Sequence, residues 1–125
     1  MNKHDKMYIA IANNGNALIE FFNLPAQDPI ALSKKLFRLD YKAHRLAEDH
    51  CNGKIETDQW EEISDKILVS LGKIIGKKNT SKVFFNGDPR GYALKIDDKY
   101  RDKMHKAGIA RDMGGYGIIA PDFRE

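Results

Sequence analysis

The fold is decided by residues 28–76, which read DPIALSKKLFRLDYKAHRLAEDHCNGKIETDQWEEISDKILVSLGKIIG. Asp28 is a favourable N-cap and Pro29 suits the first position of a helix. The leucines that follow recur every three or four residues, which predicts one apolar helix face as far as about His50. The dipeptide Asn52-Gly53 is typical of a helix C-terminus, so we expect this helix to end there.

A second helix is predicted to begin at Thr57 and to end at Gly76. Thr57 is a favourable N-cap, and acidic residues fill the first turn after it. The apolar positions again recur every three or four residues: Trp60, Ile63, Ile67, Leu71 and Ile74. Because the connection between the two helices is short, residues 28–76 are predicted to form an antiparallel helical hairpin.

The pattern changes after Ser81 and favours strands and turns over residues 82–123. Residues 83–85 and the alternating residues 92–96 predict two strands, and residues 116–120 predict a third. A short polar helix is expected between them, over residues 98–106. The predicted fold class is therefore α+β, an antiparallel helical hairpin packed on a small antiparallel β-sheet.

Residues 1–27 are predicted to form an arm or a short extra element. Residues 7–12 are typical of a strand, and Asn14-Gly15 is a favourable turn dipeptide. An irregular arm with a short element that packs Phe21, Phe22 and Leu24 is the first interpretation, and a β-hairpin is the alternative.

Composition predicts one intracellular domain over residues 1–125. Hydrophobic residues make up 42% of the chain, which is enough for a core, and one cysteine excludes a disulfide framework. No apolar run approaches the ~20 residues that cross a bilayer, and the first residues lack the apolar stretch of a signal peptide. We therefore expect a cytoplasmic protein without a membrane partner. The net charge of +3 does not by itself indicate nucleic acid.

Basic residues recur along one side of the first predicted helix. They are Lys34, Lys35, Arg38, Lys42 and Arg45. A row of cations can neutralise phosphates, which is how sequence-independent nucleic-acid binding works. The alternative is an ordinary solvated face, in which Asp40, Glu48 and Asp49 pair with these cations.

The C-terminal part of the same helix carries zinc-ligand residue types: His44, Glu48, His50 and Cys51. Four ligands so close together on one helix cannot surround a single ion tetrahedrally. The sequence therefore predicts no metal site and no cofactor.

Two glycine-rich turns, residues 87–91 and 111–117, are the other candidate surface. Guanidinium groups of arginine and the backbone amides of glycine-rich turns can bind an anion or an acidic patch, and tyrosine rings supply flat contact area. The predicted binding residues are Asp88, Arg90, Tyr92, Arg111, Asp112 and Tyr116. The alternative is hairpin geometry, with each aspartate bonded to its own backbone or to a neighbouring arginine. Neither turn has the spacing of a nucleotide-binding loop, and no catalytic constellation is visible.

Three stretches, residues 42–53, 85–96 and 112–121, together resemble small uncharacterised proteins of bacteriophages and prophages. The resemblance covers roughly residues 28–123. It implies a phage or bacterial setting and a binding role, and it transfers no catalytic residue.

The first hypothesis is therefore a non-enzymatic phage or prophage accessory protein that binds a host or phage macromolecule through the two glycine-rich turns. The first alternative is nucleic-acid binding through the basic helix face. The second is a small enzyme, or a binder, that takes a phosphorylated ligand at the two turns. The oligomeric state is left open by the sequence.

Overall fold

The computed structural model of this chain describes residues 3–90, 92–109 and 116–118. The described helices and strands are α1 (Lys3–Phe22), α2 (Pro29–Cys51), α3 (Thr57–Ile75), β1 (Val83–Phe85), β2 (Leu94–Ile96), α4 (Arg101–Ala107) and β3 (Tyr116–Gly117). Two 3₁₀ helices, Lys77–Lys82 and Asp98–Tyr100, lead into β1 and α4. The protein is mostly helical with a small antiparallel sheet, which agrees with the predicted α+β class.

The N-terminal region is a helix of 20 residues, so the prediction of an arm or a β-hairpin is wrong. The buried side chains Ile11, Leu18 and Phe22 lie on one face of α1 and enter the core. Asn14-Gly15, which looked like a turn, lies inside this helix. Gly15 serves packing, because a Cβ atom there would clash with the Pro29 carbonyl oxygen. A glycine therefore allows α1 to approach the start of α2 closely.

The termini of α2 lie where capping rules place them. The Asp28 carboxylate accepts a hydrogen bond from the Ile30 amide at 3.0 Å, and Pro29 is the first helical residue. Asn52 caps the C-terminus and is followed by Gly53 with a φ of 72°, a left-handed conformation. The sequence prediction for this helix is confirmed.

The N-cap of helix α3 lies one residue earlier than predicted. Glu56 is the N-cap, and its backbone amide donates to the Gln59 side-chain oxygen at 3.0 Å, whereas Thr57 is already helical. Gly76 ends the helix with a φ of 90°, as predicted. Helices α2 and α3 contact each other and are joined by residues 52–56.

The sheet has the strand order β1-β2-β3, and both neighbouring pairs are antiparallel. Val83 is opposite Ile96 in the first pair, and Ile96 is opposite Tyr116 in the second. The second strand begins at Leu94, later than predicted. Tyr92 precedes the strand and is buried.

One hydrophobic cluster joins the helices to the sheet. It contains Leu18 of α1, Leu36 of α2, Leu71 of α3, Leu94 of β2 and Met104 of α4, each of which is fully buried. The core therefore lies on one side of α2, and the opposite side of that helix faces solvent. Among the residues described, no helix has the length and apolar character needed to cross a membrane.

Candidate functional site

The outer face of α2 carries five cations, which we call the basic face. All five are exposed: Lys34, Lys35, Arg38, Lys42 and Arg45. The leucine stripe of the same helix, including Leu32, Leu36 and Leu39, is buried. The two faces are separated as their spacing predicts, because residues three or four apart share one side of a helix.

Two of the three carboxylates that were expected to pair with these cations, Asp40 and Glu48, have other partners. Asp40 is fully buried, and its Oδ1 atom accepts a hydrogen bond from the Leu94 amide at 2.8 Å. Glu48 pairs with His44, with 2.6 Å between Oε1 and Nε2. The prediction that Asp40 pairs with the basic face is therefore wrong, because the sheet requires its carboxylate as an acceptor.

The first four cations of the basic face are consequently open to a partner. Within the described parts of the chain, no ion pair involves Lys34, Lys35, Arg38 or Lys42. Exposed charges of this kind attract counterions from solution, which a polyanion can displace.

Arg45, the fifth cation, is held in place by a neighbouring tyrosine. Its Nη1 atom donates to the Tyr41 hydroxyl oxygen at 3.4 Å. This hydrogen bond is the main reason why the pKa of Arg45 lies above its usual value, and the nearby charge of Asp49 acts in the same direction. Arg45 is therefore a positioned, permanent cation.

A groove of about 430 Å³ opens beside Arg45, at the C-terminal end of the basic face. We call it the α2 groove, and its lining includes Phe37, Tyr41, Arg45, Asp49, Asn52 and Lys54. The backbone bond from the Lys54 amide to the Asp49 carbonyl oxygen, at 2.8 Å, turns the chain so that the connection after α2 lines the groove. His44 and Glu48, which contact each other as described above, also line it.

Aromatic rings form one part of the α2 groove. The rings of Phe37 and Tyr41 are stacked, with 6.3 Å between their centroids and 28° between their planes. Tyr41 is 50% exposed, so about half of its side chain is accessible to a partner. The groove thus combines a flat apolar wall with cations and carboxylates.

The four side chains considered as metal ligands have different partners. His44 bonds Glu48, whereas His50 lies within 3.1 Å of the Thr57 hydroxyl and stacks on Trp60. Cys51 Sγ donates to the Gly87 carbonyl oxygen at 3.6 Å. In the part of the chain that the structure describes, no group of three or more such ligands lies together.

The first glycine-rich turn is organised by an ion pair between Asp88 and Arg90. The guanidinium Nη2 atom lies 2.6 Å from Asp88 Oδ2, and Nε lies 3.0 Å from the same oxygen. The Arg90 amide also donates to Asp88 Oδ1 at 3.0 Å. These bonds lower the pKa of Asp88 to about 2. The guanidinium group of Arg90 is therefore exposed to solvent, but it is bonded to Asp88 within the turn.

Tyr92 does not present its ring to a partner, and that part of the prediction is wrong. Its side chain is 5% exposed, and a Cβ atom at Gly117 would clash with its ring. The ring therefore packs against the end of the second turn. Arg111 and Asp112 lie outside the described residues, as does the side chain of Tyr116.

Sequence reasoning selected the basic face but missed the α2 groove beside it. The signal was present, because Phe37 and Tyr41 are four residues apart and alternate with Lys34, Arg38 and Arg45 along the helix. The contribution of Lys54 could not be read in this way, since it depends on how the connection after α2 turns.

Comparisons with models of protein families, with curated proteins and with solved structures find no match. What supports a function is therefore the arrangement of side chains on α2.

Proposed function

We propose that this protein is a non-enzymatic binder of a macromolecule, and that its partner is a single-stranded nucleic acid held on the basic face of α2. The observation that carries the proposal is the row of exposed cations on α2, one of whose expected counter-charges, Asp40, is buried and bonded to the Leu94 amide. Such a row attracts phosphates through release of condensed counterions.

The length of the basic face suits a polymer better than a small anion. From Lys34 to Arg45 the helix rises about 16 Å, at 1.5 Å per residue. Several phosphates of one strand can lie along such a distance, whereas a single phosphate would contact one or two of the cations. A polymer therefore gains most from the whole row.

The exposed aromatic wall favours a single strand over a duplex. Unpaired bases stack on aromatic side chains, and such stacking contributes about 1–3 kcal/mol per base. Tyr41 lies between the cations of the basic face and is half exposed. Bases that are paired inside a duplex could not reach it.

The proposal also takes α2 and α3 as an antiparallel hairpin that rests on the sheet. Support comes from two contacts on the inner side of α2. Near the connection, the ring of His50 stacks on Trp60 of α3, with 5.1 Å between the centroids. In the middle of α2, Asp40 accepts the Leu94 amide of β2. Held from behind in this way, the basic face would be a rigid surface.

The glycine-rich turns are the weaker candidate surface. Arg90 is already bonded to Asp88, and Tyr92 is buried. The resemblance to phage and prophage proteins remains the basis for proposing a bacterial, cytoplasmic setting and an accessory role.

The test is the salt dependence of oligonucleotide binding, measured by fluorescence anisotropy. The variant Lys34→Gln/Arg38→Gln/Lys42→Gln should bind a labelled single strand more weakly. If three phosphate contacts are lost, the slope of log K against log salt should shrink by about 2.

The matched control is Lys73→Gln/Lys77→Gln/Lys78→Gln, which removes the same charge from exposed positions elsewhere. It should retain most of the affinity and the salt slope. Equal losses in the two triple variants, or no binding by the wild type at low salt, would contradict the proposal.

A further inference from the structure

We infer that the α2 groove takes one unstacked guanine base from the bound strand. This inference rests on the proposed function, since the strand must first lie on the basic face. It adds a place for a base and a reason why one base is preferred.

The groove has the size and the wall that a nucleobase needs. Its volume of about 430 Å³ exceeds that of a single base and leaves room for its sugar. The exposed face of Tyr41, backed by Phe37, offers a plane on which the base can stack. If one base turns away from its neighbours into the α2 groove, the phosphates of the strand can stay on the basic face.

The preference for guanine follows from the carboxylate of Asp49. No described residue donates a hydrogen bond to this carboxylate, and no ion pair joins it to Arg45, although its charge raises the pKa of Arg45. Its two oxygens are therefore available as acceptors. Guanine is the one common base with two adjacent donors on its Watson–Crick edge, N1–H and the N2 amino group, and these match a carboxylate.

Other acceptors and donors in the groove agree with this assignment. Glu48 is bonded to His44 and is therefore less suited to read a base. Asn52 lies three residues after Asp49 on the same helix end, and its amide can donate to guanine O6. Arg45 and Lys54 supply positive charge for the phosphates on either side of the base, which offsets repulsion by the carboxylates.

The experiment compares oligothymidylates that carry one central guanine, inosine or adenine, together with an all-thymine strand. Inosine lacks only the N2 amino group of guanine, so it removes one donor and keeps the ring. We expect the guanine strand to bind about tenfold more tightly than the inosine strand, within the range for a bidentate base contact. Matching RNA strands and free guanosine monophosphate test the source of the base.

The variant Asp49→Asn replaces one acceptor oxygen by an amino group and keeps the shape of the side chain. It should abolish the preference for guanine over inosine and leave the salt slope unchanged, because the cations of the basic face are intact. Asp65→Asn, at an exposed position of α3, makes the same charge change away from the groove. This control should keep the preference.

The outcomes separate the inference from the proposed function. Salt-dependent binding with equal affinity for all four strands would overturn the guanine site and leave the proposed function standing. If free guanosine monophosphate bound as tightly as the guanine strand, the inference that the base belongs to a bound strand would be overturned. Loss of the guanine preference in Asp49→Asn and its retention in Asp65→Asn would support the inference.

Discussion

At the scale of single residues, the Asp88–Arg90 pair shows how much of a turn can be predicted. The alternative interpretation of this turn, an aspartate bonded to its own backbone or to a neighbouring arginine, follows from the spacing alone. In the structure Asp88 accepts hydrogen bonds from the amide and from the side chain of Arg90. The burial of Tyr92 could not be predicted in the same way. It depends on Gly117, which lies 25 residues later and leaves room for the ring.

The same pair predicts a local titration at low pH. The pKa of Asp88 is lowered from 3.8 to about 2 by the hydrogen bonds from Arg90. The stabilisation of the turn by the pair is therefore complete above pH 3.8 and is lost as the pH falls through about 2. Carbon-13 NMR of the Asp88 carboxyl group should give a midpoint near 2 in the wild type.

The Arg90→Gln variant should move this midpoint back towards 3.8, because the charged donor is gone. Arg101→Gln, an exposed arginine on α4, removes the same charge without contacting Asp88 and should leave the midpoint near 2. A wild-type midpoint at 3.8 would show that the pair does not persist in solution.

At the scale of elements, the difference between α1 and α2 explains where sequence patterns fail. The caps and the leucine stripe of α2 follow local rules and were predicted. In α1 the buried positions between Ile11 and Ala17 are Asn14 and Gly15. Asn14 is there because its amide donates to the Ile118 carbonyl oxygen at 3.4 Å. Tertiary contacts thus interrupt the apolar period that would have indicated a helix.

The close approach of α1 to α2 predicts the effect of Gly15→Ala. In an unpacked helix this change would stabilise by about 1 kcal/mol, because alanine has the higher helix propensity. Here the new methyl group would meet the backbone carbonyl of Pro29, which cannot rotate away as a side chain could. We expect a net loss of about 1–3 kcal/mol in the free energy of unfolding, the usual range for overpacking.

Urea denaturation measures this change, with Asn16→Ala as the control. Asn16 is the next residue of α1 and is exposed, so alanine there gains helix propensity without a clash and should stabilise slightly. Stabilisation of the protein by Gly15→Ala would mean that α1 does not pack on Pro29.

At the scale of the whole molecule, one buried carboxylate connects the core to the proposed binding surface. Asp40 lies in the middle of α2 on its buried face, four residues after Leu36, and it accepts a hydrogen bond from the Leu94 amide, 54 residues away. The leucine stripe sets which side of α2 faces the core, and this long-range bond adds a polar contact on the same side. The inward direction of Asp40 follows from its spacing, but its partner could not have been predicted from the helix alone, because Leu94 belongs to β2.

Replacing Asp40 should consequently affect stability and binding in a characteristic way. Asp40→Ala leaves the Leu94 amide without its acceptor, which costs about 1–3 kcal/mol when the donor stays buried. Asp40→Asn keeps an acceptor oxygen and the volume, so its loss of stability should be smaller.

Hydrogen exchange at the Leu94 amide should be fastest in Asp40→Ala. The Asp40→Asn variant should bind oligonucleotides with the wild-type salt slope, because the basic face is turned outward in this variant as in the wild type. Equal exchange rates in the wild type and Asp40→Ala would show that this carboxylate does not hold α2 against the sheet.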